Sequence, residues 1–108
     1  MQRITIDPGK DESNQEKRGV SLALANLLEW DTLLCKQDTR RDYGEPRQIG
    51  YAIAGERLFC VVFVDRFDGE PPERRILSLR KANNREQLSY AQNFDVEYWP
   101  QAAPEHTL

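Results

Sequence analysis

The sequence has little of what a metal site, a disulfide framework or a membrane span requires. It contains one histidine, His106, and two cysteines, Cys35 and Cys60. No spacing of these residues is typical of a metal-ligand set, so we expect no metal and no cofactor. Both cysteines lie in apolar segments, which predicts buried free thiols rather than a disulfide. No segment approaches the roughly 20 apolar residues that a transmembrane helix needs, so we expect no membrane association.

The opening, "MQRITID", lacks the apolar region of a signal peptide, so we expect a cytoplasmic protein. A chain of 108 residues is long enough for one domain and too short for two. We predict that this single domain spans residues 1–98 and that residues 99–108 form a disordered tail.

Negative charge predominates in the whole chain, but positive charge is concentrated in one segment. The formal net charge is −3 at pH 7, which disfavours a general nucleic-acid-binding protein. Between Glu73 and Arg85 the chain carries five basic residues, and no lysine or arginine follows Arg85. The sequence therefore predicts an acidic protein with a local cationic patch.

Local patterns predict an α+β domain with two N-terminal helices and one C-terminal helix. Asp7 and Pro8 begin a polar helix over about 8–18, and Ser21 caps a second helix over about 21–30. A final helix follows Asn83 or Asn84. Strand patterns occur in "QRITID", "TLLCK", "RQIGYAIAG", "ERLFCVVFVDR" and "RRILSLR". Because hairpins link successive strands, we predict an antiparallel sheet of four to five strands with the helices on one face.

The last predicted strand carries polar and cationic side chains on one face. Strict alternation places Leu77 and Leu79 on one face, and Ile76, Ser78 and Arg80 on the other. If the leucines face the helices, Ser78 and Arg80 lie on an open surface of the sheet.

Arg47, at the start of an earlier strand, is expected to project onto the same surface. Arginine is suited to bidentate contact with phosphate, so the pair predicts a cationic groove that binds a phosphate ester. The alternative is that Arg80 forms a structural ion pair with Glu86 or Asp7.

Three sequence blocks occur in order along the chain. The first block is "IDPGKDESNQEKRGVS", the second is "YGEPRQIGYAIAGERLFCVVFVDR", and the third is "RRILSLRKANNREQLSY". Together they resemble the BrnT family of type II toxins, a resemblance that implies a RelE-like fold. The positions that fit the family pattern are Asp7, Lys10, Asn14, Lys17, Gly19, Val20, Ser21, Gly44, Glu45, Arg47, Gly50, Gly55, Arg75, Ser78, Arg80, Lys81, Ala82, Glu86 and Tyr90.

The resemblance implies a toxin that cleaves RNA without a metal, through attack by the RNA's own 2′-hydroxyl. It also implies neutralisation by a BrnA-like antitoxin with a ribbon-helix-helix domain. Operator DNA would then be bound only through the toxin–antitoxin complex. The sequence leaves a monomer and a homodimer both open.

The resemblance suggests catalytic and RNA-binding residues. Arg47 and Arg80 would bind the phosphate, and Glu45 or Lys10 would accept the proton. The further RNA-binding candidates are Lys17, Arg18, Arg75, Ser78 and Lys81.

Two positions depart from the family pattern. Arg18 stands where the family usually has histidine, and Ile6 stands where it usually has tryptophan. An arginine does not shuttle protons at ordinary pH. A second hypothesis is therefore a catalytically degenerate toxin that acts as a partner-binding and autoregulatory module.

Overall fold

A computed structural model describes residues 2–94, so the predicted tail at 99–108 lies outside the described residues. The elements are β1 (Arg3–Ile6), α1 (Pro8–Arg18), a 3-10 helix (Leu22–Leu27), β2 (Glu29–Gln37), β3 (Gln48–Ala54), β4 (Arg57–Arg66), β5 (Glu73–Lys81) and α2 (Asn84–Phe94). None of the helices in this part of the chain is long and apolar enough to cross a membrane.

The five strands form one sheet in the order β1-β5-β4-β3-β2. Neighbours from β2 to β5 are antiparallel, as the hairpin pattern predicts, and Gly55, with φ of 62°, lies in the tight β3–β4 turn. β1 instead lies parallel to β5, so the sheet is mixed and the prediction of an antiparallel sheet is wrong at this edge. A hairpin after β1 would give it an antiparallel neighbour, but helices follow β1, and a longer connection of this kind allows parallel pairing. The RelE-like classification stays a prediction.

Local signals determine α1. The Asp7 carboxylate accepts a hydrogen bond from the Lys10 backbone N–H at 2.9 Å, and Pro8 occupies the first turn. The helix ends at Gly19, whose φ of 72° is in the left-handed region. The predicted range and both ends of this helix are confirmed.

The second predicted helix is shorter than expected and is of the 3-10 type. Ser21 caps it, as predicted, but Glu29 already belongs to β2. Its buried residues Leu22 and Ala25, and Leu28 just after it, are three residues apart. This spacing matches the three residues per turn of a 3-10 helix, so all three side chains lie on one side and pack together against the sheet.

Asn14 joins the polar helix α1 to the sheet edge. Its side-chain amide donates to the backbone oxygens of Leu79 and Val20, at 2.8 and 2.7 Å, and its oxygen accepts from the Leu79 N–H. β1 pairs with β5 only as far as Ile76, so Asn14 satisfies backbone groups of β5 beyond the end of β1. The buried amide therefore substitutes for a strand neighbour.

The main core lies between the 3-10 helix and one face of the sheet. Leu22, Phe63, Ile76 and Leu79 are almost completely buried there. A second cluster, which includes Leu58, Ala82 and Tyr90, lies on the opposite face, because Leu58 alternates with Phe59. The Tyr90 hydroxyl also donates to the backbone oxygen of Thr32. Helix α2 therefore packs on the other face, and the prediction of helices on one face is wrong.

Two predictions about individual side chains are also corrected. The β4–β5 register shifts between the pairs Val62–Ser78 and Phe63–Ile76. This irregularity places Ile76 with Leu79 in the main core, not beside Ser78 as strict alternation predicts. Cys60 is buried as predicted, but Cys35 is exposed because it lies on the edge strand β2.

Candidate functional site

The open face is the surface of the sheet that faces away from α1 and the 3-10 helix. Arg80 and Ser78 lie opposite Cys60 and Val62 in the β4–β5 pairing, on the face that alternates away from Val61 and Leu79. By the same alternation, Tyr51 and Ile49 of β3 are on this face. α2 covers one end of it. The predicted placement of Ser78 and Arg80 away from the main core is therefore confirmed.

Three side chains converge where α2 meets the open face: Tyr51, Arg80 and Glu86, called the Arg80 cluster. Arg80 Nη1 and Nη2 donate to the two Glu86 carboxylate oxygens at 2.9 and 2.8 Å. Tyr51 Oη donates to Glu86 Oε2 at 3.0 Å. The alternative of an ion pair with Glu86 is thus realised, although the Arg80 side chain keeps 31% of its surface exposed.

The start of α2 explains why Glu86 lies there. The Asn83 side-chain oxygen accepts from the Glu86 N–H at 2.8 Å, and Glu86 Oε1 accepts from the Asn83 N–H at 2.9 Å. This reciprocal arrangement is a capping box with an Asn at its first position. One carboxylate therefore caps the helix and pairs with Arg80.

The charges of the Arg80 cluster are fixed at neutral pH. The hydrogen bonds from Arg80 are the main cause that lowers the pKa of Glu86 to about 2. Burial raises the pKa of the Tyr51 hydroxyl, so that it remains a donor. The pairing with Glu86 also raises the pKa of Arg80. The cluster therefore presents a guanidinium and a phenol, and its carboxylate is a weak base.

Arg18 lies close enough to influence this end of the sheet. Burial raises the pKa of the Cys60 thiol, and the positive charges of Arg80 and Arg18 oppose that rise. Arg18 is exposed in the last turn of α1, as is Lys17, whereas Lys10 is exposed in the first turn. The charge of Arg18 thus acts on Cys60, which is the β4 partner of Arg80.

The other end of the open face carries Arg47. Its guanidinium carbon lies 4.0 Å from the centre of the Tyr43 ring, and the two residues are called the Tyr43–Arg47 stack. The Tyr43 hydroxyl donates to the buried Asp38 carboxylate at 3.2 Å. Arg40 also binds Asp38, at 2.8 and 2.7 Å, and its hydrogen bonds are the main cause that lowers the pKa of Asp38.

The structure does not bring Arg47 and Arg80 together. Arg80 is paired with Cys60, whereas Arg47 precedes the pair Gln48–Phe63 and is thus level with Val64. Four residues along an antiparallel strand span about 13 Å. The two arginines lie on one face, as expected, but at its opposite ends. Their backbone positions therefore do not flank a single phosphate.

The remaining candidates lie near the Arg47 end or at strand ends. Glu45 pairs with Arg66 at 2.9 Å, and this hydrogen bonding is the main cause that lowers the Glu45 pKa. Arg75 lies 3.5 Å from Glu73, which also accepts a hydrogen bond from Thr5 at 2.5 Å. Lys81 is exposed at the end of β5. The roles assigned to these residues stay predictions.

A cavity of about 550 Å³ opens beside the Arg80 cluster, between β2, β3 and α2. Tyr51, Tyr90 and Cys35 contribute to its wall. Within residues 2–94, no group of three or more His, Cys, Asp or Glu side chains is placed to hold a metal ion.

Sequence reasoning did not assign Tyr51, Tyr43 or Asp38 to the site. The alternation of Tyr51 with Ala52 indicated its face, but only the packing of α2 shows its partner Glu86. Tyr43 and Asp38 belong to a polar loop, and their contact over five residues has no periodic signal.

A family model described as "Ribonuclease toxin, BrnT, of type II toxin-antitoxin system" matches residues 7–86 of this chain. The match begins at the cap of α1, includes every strand from β2 to β5 and ends at Glu86 in the Arg80 cluster. A comparison with the curated proteins found no match. The chain therefore belongs to the BrnT family of ribonuclease toxins of type II toxin–antitoxin systems.

Proposed function

We propose that this chain is a metal-independent endoribonuclease toxin that acts in the cytoplasm and is neutralised by a BrnA-like ribbon-helix-helix antitoxin. The observation that carries the proposal is the position of Arg80. It lies on the open face, beside the Tyr51 hydroxyl, within the segment that matches the toxin family. A guanidinium so placed is suited to stabilise the charge that develops on a phosphate during cleavage.

The proposed reaction is attack by the RNA 2′-hydroxyl on the adjacent phosphorus. The 2′-oxygen–phosphorus bond forms and the bond to the 5′-oxygen breaks, which leaves a 2′,3′-cyclic phosphate and a 5′-hydroxyl. A base must remove the 2′-hydroxyl proton and an acid must protonate the leaving oxygen. Arg80 would contact the phosphate oxygens, and Tyr51 would turn its O–H from Glu86 to the substrate. Neither role needs a metal.

The proposed reaction needs a side chain that removes the 2′-hydroxyl proton. Glu45 and Lys10 are the proposed acceptors. Arg66 keeps Glu45 deprotonated, as a base requires, but the lowered pKa also makes this carboxylate a weaker base. Glu86 is an even weaker base, and its capping role suits it to position Arg80 rather than to accept a proton.

The proposed partners follow from the family. The antitoxin would cover the toxin's RNA-binding surface, and the complex, rather than the toxin alone, would bind operator DNA and repress its own promoter. A homodimer of the toxin is compatible with this scheme.

A second candidate function is that of a catalytically degenerate toxin that only binds its partner and contributes to autoregulation. The bidentate pairing of Arg80 with Glu86 favours it, because a substrate phosphate must compete with a carboxylate already in place. The replacement of the usual family histidine by Arg18 points in the same direction.

Incubation of the purified protein with single-stranded RNA distinguishes the two functions. The nuclease hypothesis predicts cleavage in the presence of EDTA, products that end in 2′,3′-cyclic phosphate, and inhibition by an equimolar ribbon-helix-helix antitoxin. If the protein binds the antitoxin tightly but leaves RNA intact, the partner-binding function is supported and the nuclease function is rejected. Cleavage that EDTA abolishes would reject the metal-independent mechanism.

A further inference from the structure

We infer that the Tyr43–Arg47 stack is a nucleobase-binding platform, which contacts a nucleotide other than the one cleaved at Arg80. The inference rests on the proposed RNA-cleaving function and adds a second substrate contact to it. The supporting observations are the geometry of the stack, the way that its loop is held, and its position on the open face.

The stack has the form of an aromatic and guanidinium platform. The Arg47 guanidinium carbon lies 4.0 Å from the centre of the Tyr43 ring, and both side chains are only half-buried. Single-stranded RNA is bound through such surfaces, because every base has a flat face that stacks on tyrosine rings and on guanidinium planes. A base that stacks on this platform would add a third layer.

Arg47 is also available for contact with a ligand. Within residues 2–94 it forms no ion pair, whereas Arg80 binds both oxygens of Glu86. The buried carboxylate in the same loop, Asp38, is already neutralised by Arg40. Arg66 is the main cause of the lowered pKa of Glu45 and the Arg47 charge adds to it, but Glu45 is hydrogen-bonded to Arg66 and no ion pair to Arg47 forms within residues 2–94. The N–H groups of Arg47 can therefore donate to a phosphate or to a base edge.

The loop is held in place before any ligand binds. Asp38 accepts hydrogen bonds from Arg40 and from the Tyr43 hydroxyl, and the Asp38 N–H donates to the backbone oxygen of Arg47 at 2.7 Å. Asp38 thus fixes both members of the stack, one by its side chain and one by its backbone. Such preorganisation reduces the entropy lost when a base stacks.

The platform lies away from the cleavage position. The register places Arg47 about 13 Å from Arg80 along the strands. This exceeds the spacing of about 3.4 Å between neighbouring nucleotides along one strand of a duplex. The stack would therefore contact a base that is at least one nucleotide removed from the scissile phosphate and would contribute to substrate choice.

A binding experiment with uncleavable RNA tests this inference. The probe is a fluorescent 2′-O-methyl oligoribonucleotide of eight residues, together with a set in which one position at a time is abasic. For the wild-type protein, we expect one abasic position to weaken binding by about ten-fold, as loss of a stacked base does. Tyr43→Leu should weaken binding of the intact oligonucleotide by a similar factor and abolish the effect of that abasic position.

Two further variants and one control sharpen the result. Tyr43→Phe keeps the ring, so its binding should remain sensitive to the abasic position. Arg47→Lys keeps the charge but loses the planar group, so its binding should be less sensitive to the abasic position. Arg41→Gln removes an exposed charge from the same loop and should show only a general loss of affinity. Circular dichroism spectra that match the wild type confirm that each variant is folded.

The outcomes separate the inference from the proposed function. If the wild-type protein binds and cleaves RNA but no abasic position matters, or if Tyr43→Leu behaves like Arg41→Gln, the platform is rejected and the nuclease function stands. If Tyr43→Leu weakens only antitoxin binding, the stack is a protein contact and the inference is also rejected. If the wild-type protein neither binds nor cleaves RNA, both proposals fail.

Discussion

The two ends of the open face hold their arginines in different ways. At the α2 end, Arg80 makes two hydrogen bonds to Glu86, and its position and charge are fixed by that carboxylate. At the other end, Arg47 lies over Tyr43 and forms no ion pair within the described chain. One arginine is therefore oriented by a bidentate ion pair, whereas the other forms no ion pair within the described residues and is held by stacking.

The difference originates in the neighbouring carboxylates. Glu86 stands three residues after Asn83, so the capping box of α2 turns its carboxylate toward Arg80. Asp38 is the comparable acid at the other end, but Arg40 and Tyr43 already bind it. Arg40 thereby keeps Asp38 from pairing with Arg47, and Glu45, the other acid at this end, is hydrogen-bonded to Arg66. We expect the α2 end to contribute most to catalysis and the Arg47 end to contribute most to RNA affinity.

The largest expected effect is on the rate of RNA cleavage. Arg80→Ala should lower the rate about 100-fold or more, because it removes a donor aimed at developing negative charge. Arg47→Ala should lower it only about ten-fold, through weaker binding. Initial rates on one RNA, measured for both variants and for the exposed-site control Arg41→Ala, test the difference. Equal losses for the two site variants would show that the ends do not divide catalysis and affinity.

The next prediction concerns competition between Glu86 and RNA. Glu86→Gln removes the anion that occupies Arg80, so binding of uncleavable 2′-O-methyl RNA should become about two- to five-fold tighter, which corresponds to the energy of a partly exposed ion pair. Fluorescence anisotropy measures the effect. Glu16→Gln, an exposed substitution on α1 with the same charge change, is the control. If the two variants bind equally well, Glu86 does not compete with RNA.

The fold was predictable from sequence where the signals are local. Asp7, Pro8 and Gly19 mark the ends of α1 through backbone chemistry that acts over a few residues. The parallel pairing of Arg3 with Glu73 joins residues 70 positions apart, and no local pattern carries strand order over that distance. The spacing of Leu22, Ala25 and Leu28 suits one face of either helix type, so packing against the sheet decides between them.

The candidate site was predictable to a similar extent. Alternation identified the face of Ser78 and Arg80, and it failed for Ile76 because an irregularity interrupts the β4–β5 register. The separation of Arg47 from Arg80 depends on that register and on strand order, which the sequence does not reveal. The family resemblance supplied candidate positions for the site, whose roles stay predictions, but it did not supply the contacts of Arg80 with Glu86 or of Arg47 with Tyr43.

A smaller effect is expected on stability at low pH. The pKa of Glu86 is about 2 in the folded protein, below its ordinary value of 4.5, so its stabilising contribution is present above pH 4.5 and is lost as the pH falls toward 2. Wild type should exceed Glu86→Gln in free energy of unfolding by about 1–2 kcal/mol at pH 7, a figure reduced by solvent screening.

Urea titrations at a series of pH values measure that difference. It should be constant above about pH 5.5, shrink below pH 4.5 and be close to zero near pH 2. Asp38 also has a lowered pKa, so a control removes its titration. In an Asp38→Asn background, the stability difference between the protein with Glu86 and the protein with Glu86→Gln should show the same dependence on pH. A difference that does not vary between pH 7 and pH 2 would contradict the role of the Glu86 charge.

The smallest expected effect compares the two tyrosines. Tyr51→Phe removes one hydrogen bond to the half-buried Glu86 and should cost about 1 kcal/mol of unfolding free energy. Tyr43→Phe removes the bond to Asp38 but leaves both Arg40 contacts and the ring, so we expect a smaller loss. Because Tyr51 and Arg80 share one carboxylate, the losses from Tyr51→Phe and Glu86→Gln should not add in the double variant, as urea titration would show. Strict additivity would mean that the Tyr51 hydroxyl acts independently of Glu86, and the α2 end would then lack the hydrogen-bonded unit that distinguishes it from the Arg47 end.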